Sequence, residues 1–191
     1  LEENGLRPEK GPVIVTGATG GVGSLAVDML ARSGYQVVAL TGKENEADYL
    51  RSLGAAEVML RQNLDLAKIR PLDSGRWAGA VDNLGGDVLA WIASAMLQGG
   101  TIASIGLAAS MKLNTTVAPF ILRGVSLLGV DSGYIREPYR SGVWQRLAAD
   151  LRPPHLASMS RRIAFDELPA TFEEYIAGRA KGRVVVEVAG G

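Results

Sequence analysis

Short β-branched runs alternate along this chain with stretches in which apolar residues recur every three or four positions. The runs predict strands at 13–16, 36–40, 57–60, 79–82, 101–105 and 125–130. Between them, 23–32 puts Leu25, Ala26, Met29 and Leu30 on one helical face. A second helix is expected over 45–53, capped by Asn45 and stopped by Gly54. A third runs over 86–97 and ends at Gln98-Gly99-Gly100. Strands separated by helices imply right-handed parallel crossovers. The fold class is therefore α/β, a doubly wound parallel sheet with helices on both faces. No repeat, low-complexity tract or linker interrupts residues 10–135.

The pattern changes after that. "YIREPYRSGVWQRLAADL" reads as a loop and then a helix around Trp144 and Leu147. "RRIAF" reads as a strand, "DELPATFEEYIAG" as a helix ending at Gly178, and "GRVVVEV" as a terminal strand. That last strand needs a neighbour, either within this domain or outside the chain.

Composition narrows the function classes. A length of 191 residues suits one domain, and a formal net charge of zero offers no general field for nucleic acid or an anionic membrane. No apolar run is long enough for a membrane-spanning helix, and "LEENGLRPEK" has no apolar core of a signal peptide. There is no cysteine, which removes disulfides, thiol catalysis and cysteine-ligated zinc and suits a cytoplasmic address. The one histidine, His155 in "RPPHLAS", reads as a surface loop residue with no second ligand or orienting carboxylate nearby in sequence. Trp77, Trp91 and Trp144 are expected to be packing residues.

The chemistry concentrates in "VIVTGATGGVGSLAVDML". A strand runs into Gly17, Gly20, Gly21 and Gly23, and a helix starts at once. The first-turn amides of a helix are unpaired and carry partial positive charge, and glycine lets a diphosphate reach them. The spacing is G-x-x-G-x-x-G rather than G-x-G-x-x-G. In the first βα turn of an alternating chain it points to a Rossmann-type dinucleotide site. A tight turn that only packs helix on strand is the alternative. No Lys-Ser or Lys-Thr follows the glycines, so the triphosphate-binding loop G-x-x-x-x-G-K-[ST] is excluded.

The second strand should end over the adenosine ribose, where an acid would favour NAD. Here it ends in Thr41-Gly42-Lys43. A hydroxyl, an open backbone and a cation suit a 2′-phosphate, which favours NADP by about ten- to a hundredfold. The alternative is a turn lysine paired with Glu44 or Glu46. Asp82 and Asn83 close the fourth strand, either supporting the site from behind or capping the next helix.

"TGATGGVG" also fits the T-G-x-x-x-G-x-G of short-chain dehydrogenases, whose chemistry needs Y-x-x-x-K. Four residues after Tyr35, Tyr49, Tyr134, Tyr139 and Tyr175 stand Ala39, Leu53, Pro138, Val143 and Arg179, so that mechanism has no lysine. Instead "VTGATGGVGSLAV", "GYQVVALTGK", "YLRSLGA", "WAGAVDNLG", "GGTIASIGLA", "APFILRGVSLLGVDS" and "GRVVVEV", in that order, resemble another family. They are similar to the cofactor half of zinc-independent medium-chain dehydrogenases/reductases, in the branch of quinone oxidoreductases and acrylyl-CoA reductases.

The resemblance implies an NADPH-binding domain that serves hydride transfer to a quinone or an α,β-unsaturated acyl thioester. It implies Thr19, Gly20, Gly21 and Val22 at the diphosphate, and Thr41, Gly42 and Lys43 at the 2′-phosphate. Arg61 would lie over the adenine side, with Leu107, Ile121 and Ser132 toward the nicotinamide. Relatives often carry Asn where Gly178 stands, so a side-chain contact is lost there. The family's N-terminal catalytic domain is not in this sequence, so the small-molecule substrate would be met through that domain. An excised domain is favoured over a natural half-protein, with a tail within 160–191 that returns to the missing part. No catalytic residue and no metal ligand is assigned. Relatives also pair through the strand near 125–131, which implies a homodimer. Two other functions stay open on sequence: an NADP-sensing regulatory module, and an interaction domain with a vestigial glycine loop.

Overall fold

Strands buried on both faces fix the centre of the sheet. The computed structural model describes residues 1–188. In chain order the elements are β1 (Val13–Thr16), α1 (Gly21–Arg32), β2 (Val37–Thr41), α2 (Ala47–Ser52), β3 (Glu57–Leu60), β4 (Trp77–Asp82), α3 (Gly86–Ser94), β5 (Met96–Ser104), α4 (Ala118–Arg123), β6 (Ser126–Gly129), α5 (Tyr139–Ala148), β7 (Ser160–Ala164), α6 (Leu168–Ile176) and β8 (Arg183–Glu187). Every residue of β1, β2 and β4 is buried, which is why these strands read as continuous apolar runs rather than alternating ones. The six-stranded sheet has the order β3-β2-β1-β4-β5-β6 with all neighbours parallel. Strand order reverses between β1 and β4, so the loops leaving their C-terminal ends diverge and open a crevice.

The alternation of side chains divides the core in two. Val13, Val15, Val37 and Ala39 face one side with Val27, Leu50 and Leu53. Ile14, Val38 and Leu40 face the other with Val88, Leu89, Ile92 and Val125. Trp77 and Trp91 meet edge to face there, with ring centres 6.2 Å apart.

Several local expectations change. Asn45 caps nothing: residues 44–46 form a single 3₁₀ turn, and α2 starts at Ala47 without a side-chain cap. The third helix stops at Ser94 instead of 97, because Met96 already pairs with Trp77 at the start of β5. The ladder then jumps from Met96↔Trp77 to Thr101↔Gly79, and Gln98-Gly99-Gly100 lie in that excursion rather than at a helix end. Trp144 is 60% exposed on α5, a helix that buries no residue, so it is not a packing residue in this chain.

The terminal strand finds its partner within the chain. β8 pairs in parallel with β7, from Ser160↔Arg183 to Ala164↔Glu187, and α6 makes the crossover. These two strands form a separate sheet. Residues 189–191 of the expected tail lie outside the described residues.

Candidate functional site

Local physics builds the crevice from the end of β1. Gly17 turns the chain with φ +57°, a conformation costly for any residue with a Cβ. The turn closes through the Gly20 amide, which donates to the Gly17 carbonyl at 2.9 Å, and Ala18 donates to Leu40 O at 3.1 Å. Helix α1 then begins at Gly21 with no side-chain cap, so its first-turn amides are left for a ligand. A Cβ on Gly23 would lie 2.7 Å from Ala18 Cα, with the Gly17 carbonyl oxygen closer still. This position is glycine because helix and turn pack backbone to backbone.

Polar groups at the neighbouring strand ends hold this turn in place. Thr16 Oγ1 donates to buried Asp82 Oδ1 at 2.8 Å and accepts from the Asn83 amide at 2.8 Å. Asn83 Nδ2 donates to Thr16 O at 2.7 Å. Asp82 Oδ2 also accepts the Gly85 amide at 2.9 Å. Asp82 does not cap α3, whose N-cap is Gly85 without a side-chain hydrogen bond; it fixes the turn before that helix and braces β1 against β4.

The cleft above these strand ends has a volume of about 690 Å³. Thr19, Gly20, Gly21, Val22, Thr41, Gly42, Lys43, Arg61 and Leu107 all line it, although they come from four separate loops. The Thr19 and Thr41 hydroxyls approach to 3.4 Å, and Thr41 Oγ1 accepts the Lys43 amide at 3.1 Å. The Arg61 guanidinium lies beside Gly42, where a Cβ would be 3.6 Å from it. Leu107 is 63% exposed and also lines an adjoining cleft of about 500 Å³. Ile121 is not brought into either cleft; it stands exposed on α4. Ser132 lines neither, but its neighbour Asp131 lines the second.

Lys43 is not paired with the adjacent acids. Glu44 accepts from Gln62 Nε2 at 2.8 Å, and Glu46 pairs with Lys181 at 2.9 Å. The Lys43 ammonium donates to the Ala180 carbonyl. Burial holds its pKa below the ordinary lysine value; the Glu46 charge opposes that shift and the Lys181 charge adds to it.

The tail contributes more than its sequence signals. Ala177 and Gly178 line the cleft, and the Gly182 amide donates to Thr19 O at 2.9 Å. The Arg183 side chain lies over Gly21, where a Cβ would meet its Nε at 2.5 Å and its Cδ at 2.8 Å. A guanidinium thus covers the helix N-terminus that the glycine turn exposes. Only the sheet register sets it there, so a lone arginine opening a strand gave no warning.

His155 is exposed in a turn, in line with the surface-loop reading, but it does not lack an orienting carboxylate. A carboxylate does orient it: Asp28 Oδ1 is 2.8 Å from Nδ1, and Asp28 Oδ2 accepts the His155 amide at 3.1 Å. Asp28 is buried on α1, 127 positions away in sequence. Neither residue lines the glycine-turn cleft. Among the described residues no group of three His, Cys, Asp or Glu side chains could hold a metal, and no helix is long and apolar enough to cross a membrane.

The chain is similar over most of its length to known proteins. Residues 21–149 match the family model described as zinc-binding dehydrogenase. The chain is 47% identical over 189 residues to YhfP of Bacillus subtilis, which is described by the words quinone oxidoreductase. It is 46% identical over 190 residues to the acrylyl-CoA reductase AcuI of Ruegeria pomeroyi. Each match covers 98% of this chain and 57% of the relative, so the chain spans little more than half the relatives' length. The crystal structure of E. coli YhdH with bound NADPH superimposes with a TM-score of 0.93 at 46% identity, covering 99% of this chain and 58% of YhdH. That of B. subtilis YhfP with NAD bound gives 0.92 at 46% identity, covering 98% and 57%.

Proposed function

The chain belongs to the zinc-binding dehydrogenase family, and on that premise we propose that it is the NADPH-holding domain of an oxidoreductase acting on a quinone or an α,β-unsaturated acyl thioester of the acrylyl-CoA kind. One observation carries this reading: an uncapped helix start, a glycine turn and an unpaired lysine share a single cleft. The printed names of YhfP and AcuI support the substrate classes, and the NADPH of YhdH supports the cofactor. The same names weigh against a sensing module without chemistry.

In this reading Thr19, Gly20, Gly21 and Val22 surround the diphosphate, which takes the first-turn amides of Gly21 and Val22 because the Gly20 amide already donates to Gly17 O, with Arg183 adding a guanidinium. Thr41, Gly42 and Lys43 take the 2′-phosphate, and Arg61 covers the adenine side. Leu107, Ile121 and Ser132 stay assigned toward the nicotinamide; Ile121 and Ser132 then need the loops around them to approach the cofactor. NADP is favoured over NAD because neither Glu44 nor Glu46 forms an ion pair with Lys43. When bound, the cofactor supplies the hydride; the chain's own residues orient it and cover it from water.

Zinc does not fit these residues. The chain has no cysteine, its one histidine is committed to Asp28, and no three ligating side chains converge among the described residues. We assign no catalytic residue.

The two-stranded β7–β8 sheet is small for independent stability, and this supports a tail that continues onto a catalytic domain. β6 closes the main sheet, with Leu128 and Val130 partly exposed, which supports a homodimer through that edge. A cytoplasmic address belongs to the same reading and is supported by the lack of cysteine. Titrating the protein with NADPH and NADH separately tests the core of the proposal. NADPH should bind about ten- to a hundredfold more tightly; equal affinity would remove the 2′-phosphate assignment.

A further inference from the structure

An acid at the end of the second strand ordinarily opposes a 2′-phosphate, and this chain has one three positions after Lys43. Glu46 ends the short turn after Lys43, its amide donating to the Lys43 carbonyl at 3.3 Å; it lies beside the cofactor cleft rather than in its lining, and its charge acts on the Lys43 ammonium. Its carboxylate is matched by Lys181, whose Nζ lies 2.9 Å from Glu46 Oε2. The same Nζ stands 4.7 Å from the centre of the Tyr49 ring, which holds the ammonium from a second side. The Glu46 side chain is only 22% exposed, so water screens this pair less than an open surface pair. The segment carrying Lys181 is seated at this corner by two more contacts, Lys43 to the Ala180 carbonyl and the Gly182 amide to Thr19 O.

We propose that Lys181 is a positioning residue for cofactor selectivity: by pairing with Glu46 it cancels the carboxylate that would otherwise repel a 2′-phosphate at Lys43. The inference rests on the NADPH-binding reading above. It gives the tail a part in the site, because a residue 135 positions from Glu46 sets the field in which Lys43 works. Glu44 reaches away to Gln62, which donates to its carboxylate at 2.8 Å. Without Lys181, Glu46 is free to swing toward the ribose, where it would accept hydrogen bonds from a 2′-hydroxyl and so favour NADH.

The test is a set of variants titrated with both dinucleotides, each checked for an unchanged melting temperature. Lys181→Ala should weaken NADPH about five- to tenfold while leaving NADH unchanged or slightly tighter. Lys181→Arg should retain selectivity, since it keeps the charge. Glu46→Gln placed in the Lys181→Ala background should restore NADPH affinity, because the carboxylate that needed cancelling is gone. A merely structural lysine would weaken both dinucleotides alike and would not be rescued by Glu46→Gln; either outcome overturns the proposal. A parent protein that binds NADPH selectively but is indifferent to Lys181 defeats the selectivity role and leaves the functional reading standing. A parent protein that takes up neither dinucleotide defeats both.

Discussion

Replacing Gly23 with alanine puts one methyl group where the structure has no room. The added carbon would lie 2.7 Å from Ala18 Cα and 2.9 Å from the Gly17 carbonyl carbon. All are backbone atoms of a turn tied by Gly20 to Gly17, by Ala18 to Leu40, and by Ser24 Oγ to Ala18 O at 3.2 Å. Ordinary contact would need the helix start to retreat by several tenths of an ångström. Overpacking of this kind costs about 1–3 kcal/mol, and the better helix propensity of alanine returns up to about 1 kcal/mol. A net loss of about 1–2 kcal/mol lowers the melting temperature of a domain this size by roughly 2–8 °C. The retreat also moves the amides meant for the diphosphate; losing one charge-assisted bond of about 1.5–3 kcal/mol weakens NADPH by roughly ten- to a hundredfold. Thermal unfolding followed by circular dichroism and a fluorescence titration read the two effects. Gly21→Ala is the matched control for unfolding alone, since the atoms nearest its methyl all belong to the movable Arg183 side chain. Gly142→Ala, in α5 with nothing within 4 Å, should instead stabilise by about 0.5–1 kcal/mol. A Gly23→Ala protein that melts and binds like its parent would refute the close-packing argument.

Burial lowers the Lys43 pKa, so its ammonium loses its proton earlier in an alkaline titration than an ordinary lysine. The 2′-phosphate needs that proton, so NADPH selectivity should be full at neutral pH and decline as pH rises through the lowered pKa, reaching the NADH level sooner than a free lysine allows. It should also decline below about pH 6, where the phosphate's second ionisation is lost; a flat selectivity profile from pH 6 to 10 contradicts the assignment. Asp28→Ala leaves the His155 amide and ring without their acceptor and should cost about 1–3 kcal/mol in urea unfolding. NADPH affinity should not change with it, because neither residue lines the cleft. The 191-residue chain by itself should bind NADPH yet reduce acrylyl-CoA negligibly; steady turnover in a spectrophotometric assay would show that the catalytic groups lie within it.

The central sheet was legible because its strands are buried on both faces and alternate with helices. β1 and β3 were predicted to the residue, and the others differ at their ends. The glycine turn was legible for the same local reason: Gly17, Gly20, Gly21 and Gly23 fall between a strand and a helix within one short segment. What stayed hidden depends on long-range register. Ser160↔Arg183 pairing carries Arg183 over Gly21, and nothing within that strand announces it. Asp28 and His155 meet across 127 positions. Asn45 looked like a cap because composition alone does not tell a 3₁₀ turn from a helix start. Trp144 looked like a packing residue because it is a large aromatic, yet it is 60% exposed on a helix that buries no residue.

The account's central claim is that the first-turn amides at Gly21 and Val22, beside the Gly17–Gly20 turn, receive a dinucleotide diphosphate. A crystal structure of the protein soaked in NADPH tests it most directly. The account predicts the diphosphate against those amides and beneath Arg183, with the adenosine phosphate between Thr41 and Lys43. A crevice that remains empty at saturating NADPH, or a cofactor seated elsewhere on the sheet, would contradict it.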